Sequence, residues 1–136
     1  MKTYTVDFNG YWGDEQKNGI PSESGIYLVY RCKINEQEKK VNLKEIIYIG
    51  QSSDVCERLS KHEKYSDFQK QLLEDESLCY SYASVPDNEL NIIENALVNM
   101  QQPQLNEQYK DYSHGPAIFM ISGMCGLLKM KNFSMK

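Results

Sequence analysis

The chain has 136 residues, a length typical of one domain with a buried core. Hydrophobic residues make up 40 % and charged residues 25 % of it, which excludes a disordered composition. The N-terminus lacks the features of a signal peptide, and the longest apolar stretch, residues 117–128, is too short to span a bilayer. The four cysteines are 24, 23 and 46 positions apart with no CxxC pair, so we expect free thiols in a reducing cytoplasm.

The net charge of −4 does not by itself favour a nucleic-acid partner. The charge is, however, unevenly distributed along the chain. Residues 1–70 carry eleven basic and eleven acidic side chains, residues 71–109 carry seven acids and no Lys or Arg, and residues 110–136 carry four basic residues and one acid. An acidic total can therefore hide a basic face, and the composition leaves nucleic-acid binding open.

The first half of the chain predicts three strands and a helix. Residues 3–8 alternate as a short strand, and a polar loop follows them. Residues 25–32 and 44–50 are rich in β-branched and aromatic residues, and we expect them to pair antiparallel because no crossover helix fits between them. Asp54 begins a capping box, which predicts a helix over about 54–64.

The second half predicts a helix over 66–76, a further strand over 78–85, which is the third of the predicted sheet, and a helix from Pro86 to about residue 101. The apolar stretch 117–128 is predicted to add a last helix, although its periodicity leaves a strand open. The predicted fold class is α+β, with a small antiparallel three-stranded β-sheet flanked by helices and short N- and C-terminal additions.

Five polar residues stand at positions where chemistry is conceivable. Arg58 and His62 are four apart on a predicted helix and would share a face, as many solvated pairs also do. Tyr27 and Tyr48 lie at or near strands, where a tyrosine packs its ring and leaves its hydroxyl for water or a partner. Glu94 lies at the edge of a helical core stripe, where a carboxylate is either half-buried and paired or a ligand.

The order and spacing of these residues resemble the GIY-YIG nuclease superfamily over about residues 24–106. The tripeptides "GIY" and "YIG" occupy positions 25–27 and 48–50. Arg58 lies eight residues after Gly50, and His62 lies four residues after Arg58. Glu94 and Asn106 then occur in the run "IIENALVNMQQPQLN". The twenty residues between the tripeptides exceed the family's usual spacing, and a longer hairpin would absorb them.

The resemblance implies a metal-dependent endonuclease that hydrolyses DNA phosphodiester bonds. Glu94 would hold one divalent cation, Mg²⁺ or Mn²⁺, with water and phosphate oxygens completing the shell. Arg58 would bind the phosphate and stabilise the charge of the transition state. Tyr48 and Tyr27 would place the attacking water, one of them would deprotonate it, and His62 would take the phenol proton.

Supporting roles are implied for five further residues. Asn106 would fix the helix that carries the metal ligand, or a phosphate. Gly25 and Gly50 would let backbone and substrate approach each other closely. Lys61 and Lys64 are candidate phosphate contacts, with a merely solubilising role as the alternative.

We expect a single domain over 1–136, with a nuclease core at 24–106 and a C-terminal extension at 107–136 that packs on this core. The expected partner is DNA and not a membrane, with a homodimer or a partner protein supplying specificity. The alternative is a catalytically weak or inactive module of the same fold that binds nucleic acid or a protein, which the acidic total favours. A third alternative is a regulatory protein that does not contact nucleic acid. This alternative gives no reason for Arg58, His62 and Glu94 to occur together.

Overall fold

The computed structural model describes residues 1–108 and 111–136, and six strands within them form one mixed sheet. The strands are β1 (Lys2–Gly13), β2 (Gly25–Asn35), β3 (Lys40–Ser52), β4 (Ser77–Ser84), β5 (Ala117–Gly123) and β6 (Asn132–Met135). Their spatial order is β3-β2-β4-β1-β5-β6, and every neighbouring pair is antiparallel except β1 and β5.

The same residues contain three α-helices: α1 (Val55–Ser60), α2 (Tyr65–Lys70) and α3 (Leu90–Gln101). Two short 3₁₀ helices, Asp14–Gly19 and Asp87–Glu89, precede β2 and α3. None of the helices in the described ranges has the length and apolar character that crossing a membrane requires.

The core lies on both faces of the sheet because β2 is buried on both sides. Residues 25–30 of β2 are all buried. Ile26 and Leu28 pack with α3, whereas Tyr27 and Val29 pack with α1 and α2 on the opposite face. This two-sided burial explains why the strand is a continuous apolar run instead of an alternating one.

The predicted three-stranded antiparallel sheet flanked by helices is wrong. The sheet has six strands, is mixed, and curls into a half-barrel. The error lies in the terminal segments, which were expected as additions to the fold. β1 pairs with β4 on one side and, in parallel, with β5 on the other, so it lies inside the sheet. β5 and β6 then extend the sheet beyond β1.

The predicted helix over 117–128 is also wrong, because its first part forms β5. Ala117, Phe119 and Ile121 are buried, and the residues between them are exposed. This alternation is that of a strand with one face on the core. The exposed positions include Ile118 and Met120, and two apolar residues on the open face conceal the period of two in the sequence.

Other predictions differ mainly in extent. The antiparallel pairing of β2 with β3 is confirmed, as is the cap at Asp54, whose side chain accepts a hydrogen bond from the Glu57 N–H. The helix predicted over 54–64 ends at Ser60, however, so His62 lies in the turn between α1 and α2. Arg58 and His62 therefore do not share a helix face, and the backbone turn directs the histidine.

Candidate active site

Six of the predicted site residues line one cleft of about 300 Å³ beside the end of β3. They are Tyr27, Tyr48, Arg58, Lys64, Glu94 and Asn106. The sequence did not indicate the other four residues that line the cleft, which are Gln51, Glu63, Glu107 and Gln108. The cleft thus brings together side chains from β2, β3, α1 and α3 and from the segments after α1 and α3.

The two glycines of the tripeptides serve packing inside the protein. Gly50 lies opposite Tyr27 in the β2–β3 ladder, and a Cβ atom at this position would overlap with the phenol ring of Tyr27. A Cβ atom on Gly25 would overlap with the Ala83 carbonyl oxygen and crowd the Tyr82 ring. Neither glycine lines the cleft. The missing side chains therefore leave space for other atoms of the protein, whereas the resemblance implied space for the substrate.

His62 is buried behind Tyr27 and holds its hydroxyl in place. The His62 Nε2 atom lies 2.8 Å from the Tyr27 oxygen, and Nδ1 accepts a hydrogen bond of 3.1 Å from the Lys64 N–H. Because Nδ1 is an acceptor, a neutral imidazole carries its proton on Nε2 and donates it to Tyr27. Burial and the charge of Arg58 lower the pKa of His62 to about 4, so the ring is neutral at neutral pH. This arrangement favours a hydrogen-bond donor over the predicted proton acceptor.

The stability of the protein is expected to depend on the protonation of His62. The pKa of His62 is about 4 in the folded state, against 6.5 as its ordinary value, so the unfolded chain binds more protons between these pH values. The free energy of unfolding then falls as the pH falls through this window, by at most about 1.4 kcal/mol per pH unit. Urea unfolding at pH 7, 6 and 5 should show a shallower pH dependence for His62→Gln.

His114 provides the matched control for this measurement, because it is exposed. His114→Gln should keep the pH dependence of the wild type. If His62→Gln and the wild type lost stability in parallel on acidification, a buried neutral His62 would be contradicted.

Glu94 presents a buried carboxylate to the cleft from α3. Only 6 % of the residue is exposed, and its Oε1 atom accepts a hydrogen bond of 3.0 Å from the Gln51 amide. The same amide donates to Asn91 Oδ1 at 2.7 Å, which ties the end of β3 to α3. Burial raises the pKa of Glu94, and the bond from Gln51 and the charge of Arg58 oppose this effect. Gln51 was missed, although its place two residues after the buried Ile49 puts it on the α3 side of β3.

The carboxylate of Glu94 suits a hard divalent cation. Its Oε2 atom accepts no hydrogen bond from residues 1–108 or 111–136, so one oxygen can face a ligand. A divalent cation would also offset the cost of burying the charge. The described residues contain no cluster of three or more His, Cys, Asp or Glu side chains fit to hold a metal. With Glu94 as its protein ligand, a cation would take water and substrate oxygens to complete its shell.

Arg58 projects into the cleft from α1 and carries a partner there. Its Nη2 atom donates a hydrogen bond of 3.0 Å to Glu63 Oε1, and its side chain remains 32 % exposed. Burial raises the pKa of Tyr27, and the positive charge of Arg58 opposes this rise. Arg58 is thus close enough to the phenol to stabilise a phenolate, and its guanidinium is accessible from the cleft.

Asn106 fixes β3. Its Nδ2 atom donates to the Ile49 carbonyl at 2.8 Å, and its Oδ1 atom accepts from the Ile49 N–H at 2.9 Å. The neighbouring Leu105 N–H donates to the Ile47 carbonyl at 3.1 Å. The chain after α3 therefore pairs with the outer edge of β3 and holds the backbone on both sides of Tyr48. The side chain of Asn106 thus supports β3, whereas the expected support was for the Glu94 helix; the alternative contact with a phosphate stays a prediction.

Asn106→Ala is expected to lower the free energy of unfolding by roughly 2–3 kcal/mol, because it leaves the N–H and the carbonyl of Ile49 buried without partners. Asn42→Ala, at an exposed asparagine of the same strand, should change it by less than about 0.5 kcal/mol. Urea denaturation of both variants measures the difference. Equal, small effects at the two positions would contradict the clamp.

The two predicted phosphate-binding lysines lie on different sides of Arg58. Lys64 lines the cleft, whereas Lys61 lines a second depression that Arg58 also borders. Glu63 and Glu107 add negative charge to the cleft. Neither glutamate has a spacing in the sequence that would have indicated the site.

Comparison with known proteins gives no further guide to function. No family model, no curated protein and no solved structure matches the chain.

Proposed function

We propose that this protein is a metal-dependent endonuclease of the GIY-YIG type that hydrolyses phosphodiester bonds of DNA. The observation that carries the proposal is the meeting of Tyr48, Arg58 and Glu94 at one cleft, with Tyr27 lining the same cleft and bonded to His62. A cation-binding carboxylate, a phosphate-binding guanidinium and phenols for the water are the parts that this reaction needs. Four free cysteines agree with the cytoplasm as its compartment.

Arg58 binds the scissile phosphate. Its guanidinium offers planar donors that match two phosphate oxygens, and it keeps its charge at every working pH. As the attacking water adds to phosphorus, negative charge grows on those oxygens, and the guanidinium stabilises it more strongly in the transition state than in the ground state. This preference for the transition state is what lowers the barrier.

The two tyrosines place the attacking water, and one of them takes its proton. Burial raises the pKa of both phenols, and more strongly that of Tyr27; Glu94 raises both further, and the positive charge of Arg58 opposes the rise at both. Tyr27 also has a hydrogen-bond partner in His62. The phenol that acts as the base therefore depends on Arg58 and on the cation, when bound, to favour its phenolate.

Glu94 would hold the divalent cation, and the hydrogen bond from Gln51 orients its carboxylate. The cation, when bound, neutralises phosphate charge and makes a nearby water or phenol more acidic. Asn106 contributes by fixing the strand on which Tyr48 stands. The protein thereby limits the motion of the groups that must meet at the phosphorus atom.

The charges of the cleft favour one second candidate, a non-catalytic module that binds a protein partner. Glu63, Glu94 and Glu107 outnumber Arg58 and Lys64 among the charged side chains that line the cleft. Such a surface repels a polyanion unless a cation is present. A module of this kind would show no cleavage of DNA with any metal.

Incubation of the wild-type protein with supercoiled plasmid, a single-stranded circle and a branched oligonucleotide tests the proposal. Each DNA is offered with Mg²⁺, with Mn²⁺ and with EDTA. We expect cleavage of at least one substrate with metal and none with EDTA. Absence of metal-dependent products on all three substrates would leave the binding module as the better account.

A further inference from the structure

The guanidinium that is proposed to bind phosphate is already paired with a carboxylate. Glu63 Oε1 lies 3.0 Å from Arg58 Nη2, and both residues line the cleft. The Glu63 side chain is 71 % exposed, so no packing of the protein holds it against the arginine. Its position follows from the turn after α1, in which His62 turns towards Tyr27 and Lys64 lines the cleft.

A carboxylate and a phosphate compete for the same guanidinium donors. Each anion can place two of its oxygens against two N–H donors of the arginine guanidinium. A phosphate that approaches Arg58 must therefore replace Glu63 at Nη2 or share the guanidinium with it. The released carboxylate then lies next to the phosphate, where its charge is repulsive.

We infer that Glu63 acts as an internal competitor for the substrate phosphate at Arg58, so that DNA binds productively only after it displaces this carboxylate. The inference rests on the proposed function and adds a control of affinity to it. Displacing Glu63 from Arg58 costs free energy. The many phosphate contacts of a polyanion can offset this cost, whereas a small phosphate ester makes few other contacts. The competitor therefore favours DNA over mononucleotides and lowers occupancy of the cleft by free phosphate.

The closing experiment measures DNA binding by fluorescence anisotropy in EDTA, in a Glu94→Gln background that leaves the DNA uncut. Adding Glu63→Gln should tighten binding of a single-stranded oligonucleotide about three- to fivefold, the range expected for an exposed ion pair. It should also steepen the plot of log affinity against log salt by at most roughly 0.7, because Arg58 then neutralises one DNA phosphate without a carboxylate beside it. With Glu94 intact, Glu63→Gln should lower KM by a similar factor and leave kcat within about twofold.

Two controls isolate the pairing from the change of charge. Glu57→Gln removes the same charge from α1 at an exposed position outside the cleft, and it should alter affinity less than about 1.5-fold. In an Arg58→Ala background, Glu63→Gln should tighten binding no more than Glu57→Gln does, because the competition has no target and only the change of charge remains.

The outcomes separate this inference from the proposed function. If the wild type cleaves DNA and Glu63→Gln behaves like Glu57→Gln, the competitor is overturned and the nuclease stands. If no variant cleaves DNA, inorganic pyrophosphate serves as the probe. Pyrophosphate binding that tightens threefold or more in Glu63→Gln then supports the competition while the nuclease fails, and unchanged binding overturns both.

Discussion

Glu94→Gln is expected to lower the rate of metal-dependent DNA cleavage by on the order of 10³-fold or more. The substitution removes the one carboxylate proposed to hold the cation and preserves the shape of the side chain. The Glu94 Oε1 atom accepts a bond from Gln51, and the amide oxygen of a glutamine can accept the same bond. The loss should appear in kcat, because the cation stabilises charge that develops in the transition state.

The variant should fold as well as the wild type or better. Burial raises the pKa of Glu94, which means that the ionised carboxylate is unfavourable in the folded protein near neutral pH. A neutral glutamine removes this cost, so the melting temperature should stay equal or rise. Glu57→Gln is the matched control, because it makes the same change of charge outside the cleft. We expect it to cleave DNA at the rate of the wild type. Cleavage by Glu94→Gln at the rate of the wild type would contradict the role of Glu94 as the metal ligand.

Arg58→Ala is expected to lower cleavage by about 10²- to 10³-fold, the cost of losing one charged donor to a transition state. Arg58→Lys should recover only part of this loss, because an ammonium group cannot present paired planar donors to a phosphate. The side chain is 32 % exposed and its ion pair with Glu63 is at the surface, so stability should change little. Initial rates at saturating and at low DNA concentration separate the effects on kcat and KM.

Lys61→Ala is the matched control for Arg58→Ala. Lys61 directly follows α1, but it lines the depression outside the cleft, so cleavage should remain within about threefold of the wild type. Equal losses in the two variants would indicate that general positive charge, and not a specific phosphate contact, supports the reaction. A thermal melt of each variant establishes that it is folded.

The local part of the site could be predicted from the sequence because its residues follow short-range rules. The "YIG" strand, the Asp54 cap and the helix with Glu94 were indicated by β-propensity, capping spacing and the helical period. The resemblance implied that His62 acts on a phenol, but it did not specify Tyr27 as that phenol. The histidine reaches the phenol from a turn stabilised by the Lys64 N–H, which helical spacing does not describe.

The sheet could not be predicted in the same way. β1 pairs in parallel with β5, a segment more than one hundred residues later, and no local pattern encodes such a partner. The exposed Ile118 and Met120 further concealed the strand character of β5. Gln51 and Glu63 were missed because their roles depend on which side chains the fold brings next to them.

The most direct measurement of the central claim is the rate at which supercoiled plasmid is nicked by the wild type and by Glu94→Gln, side by side, with Mg²⁺ and with EDTA. We expect nicking by the wild type in Mg²⁺ alone, with the three other reactions at the level of a protein-free control. Identical traces for the two proteins, or nicking by the wild type that persists in EDTA, would contradict a metal-dependent nuclease site at Glu94.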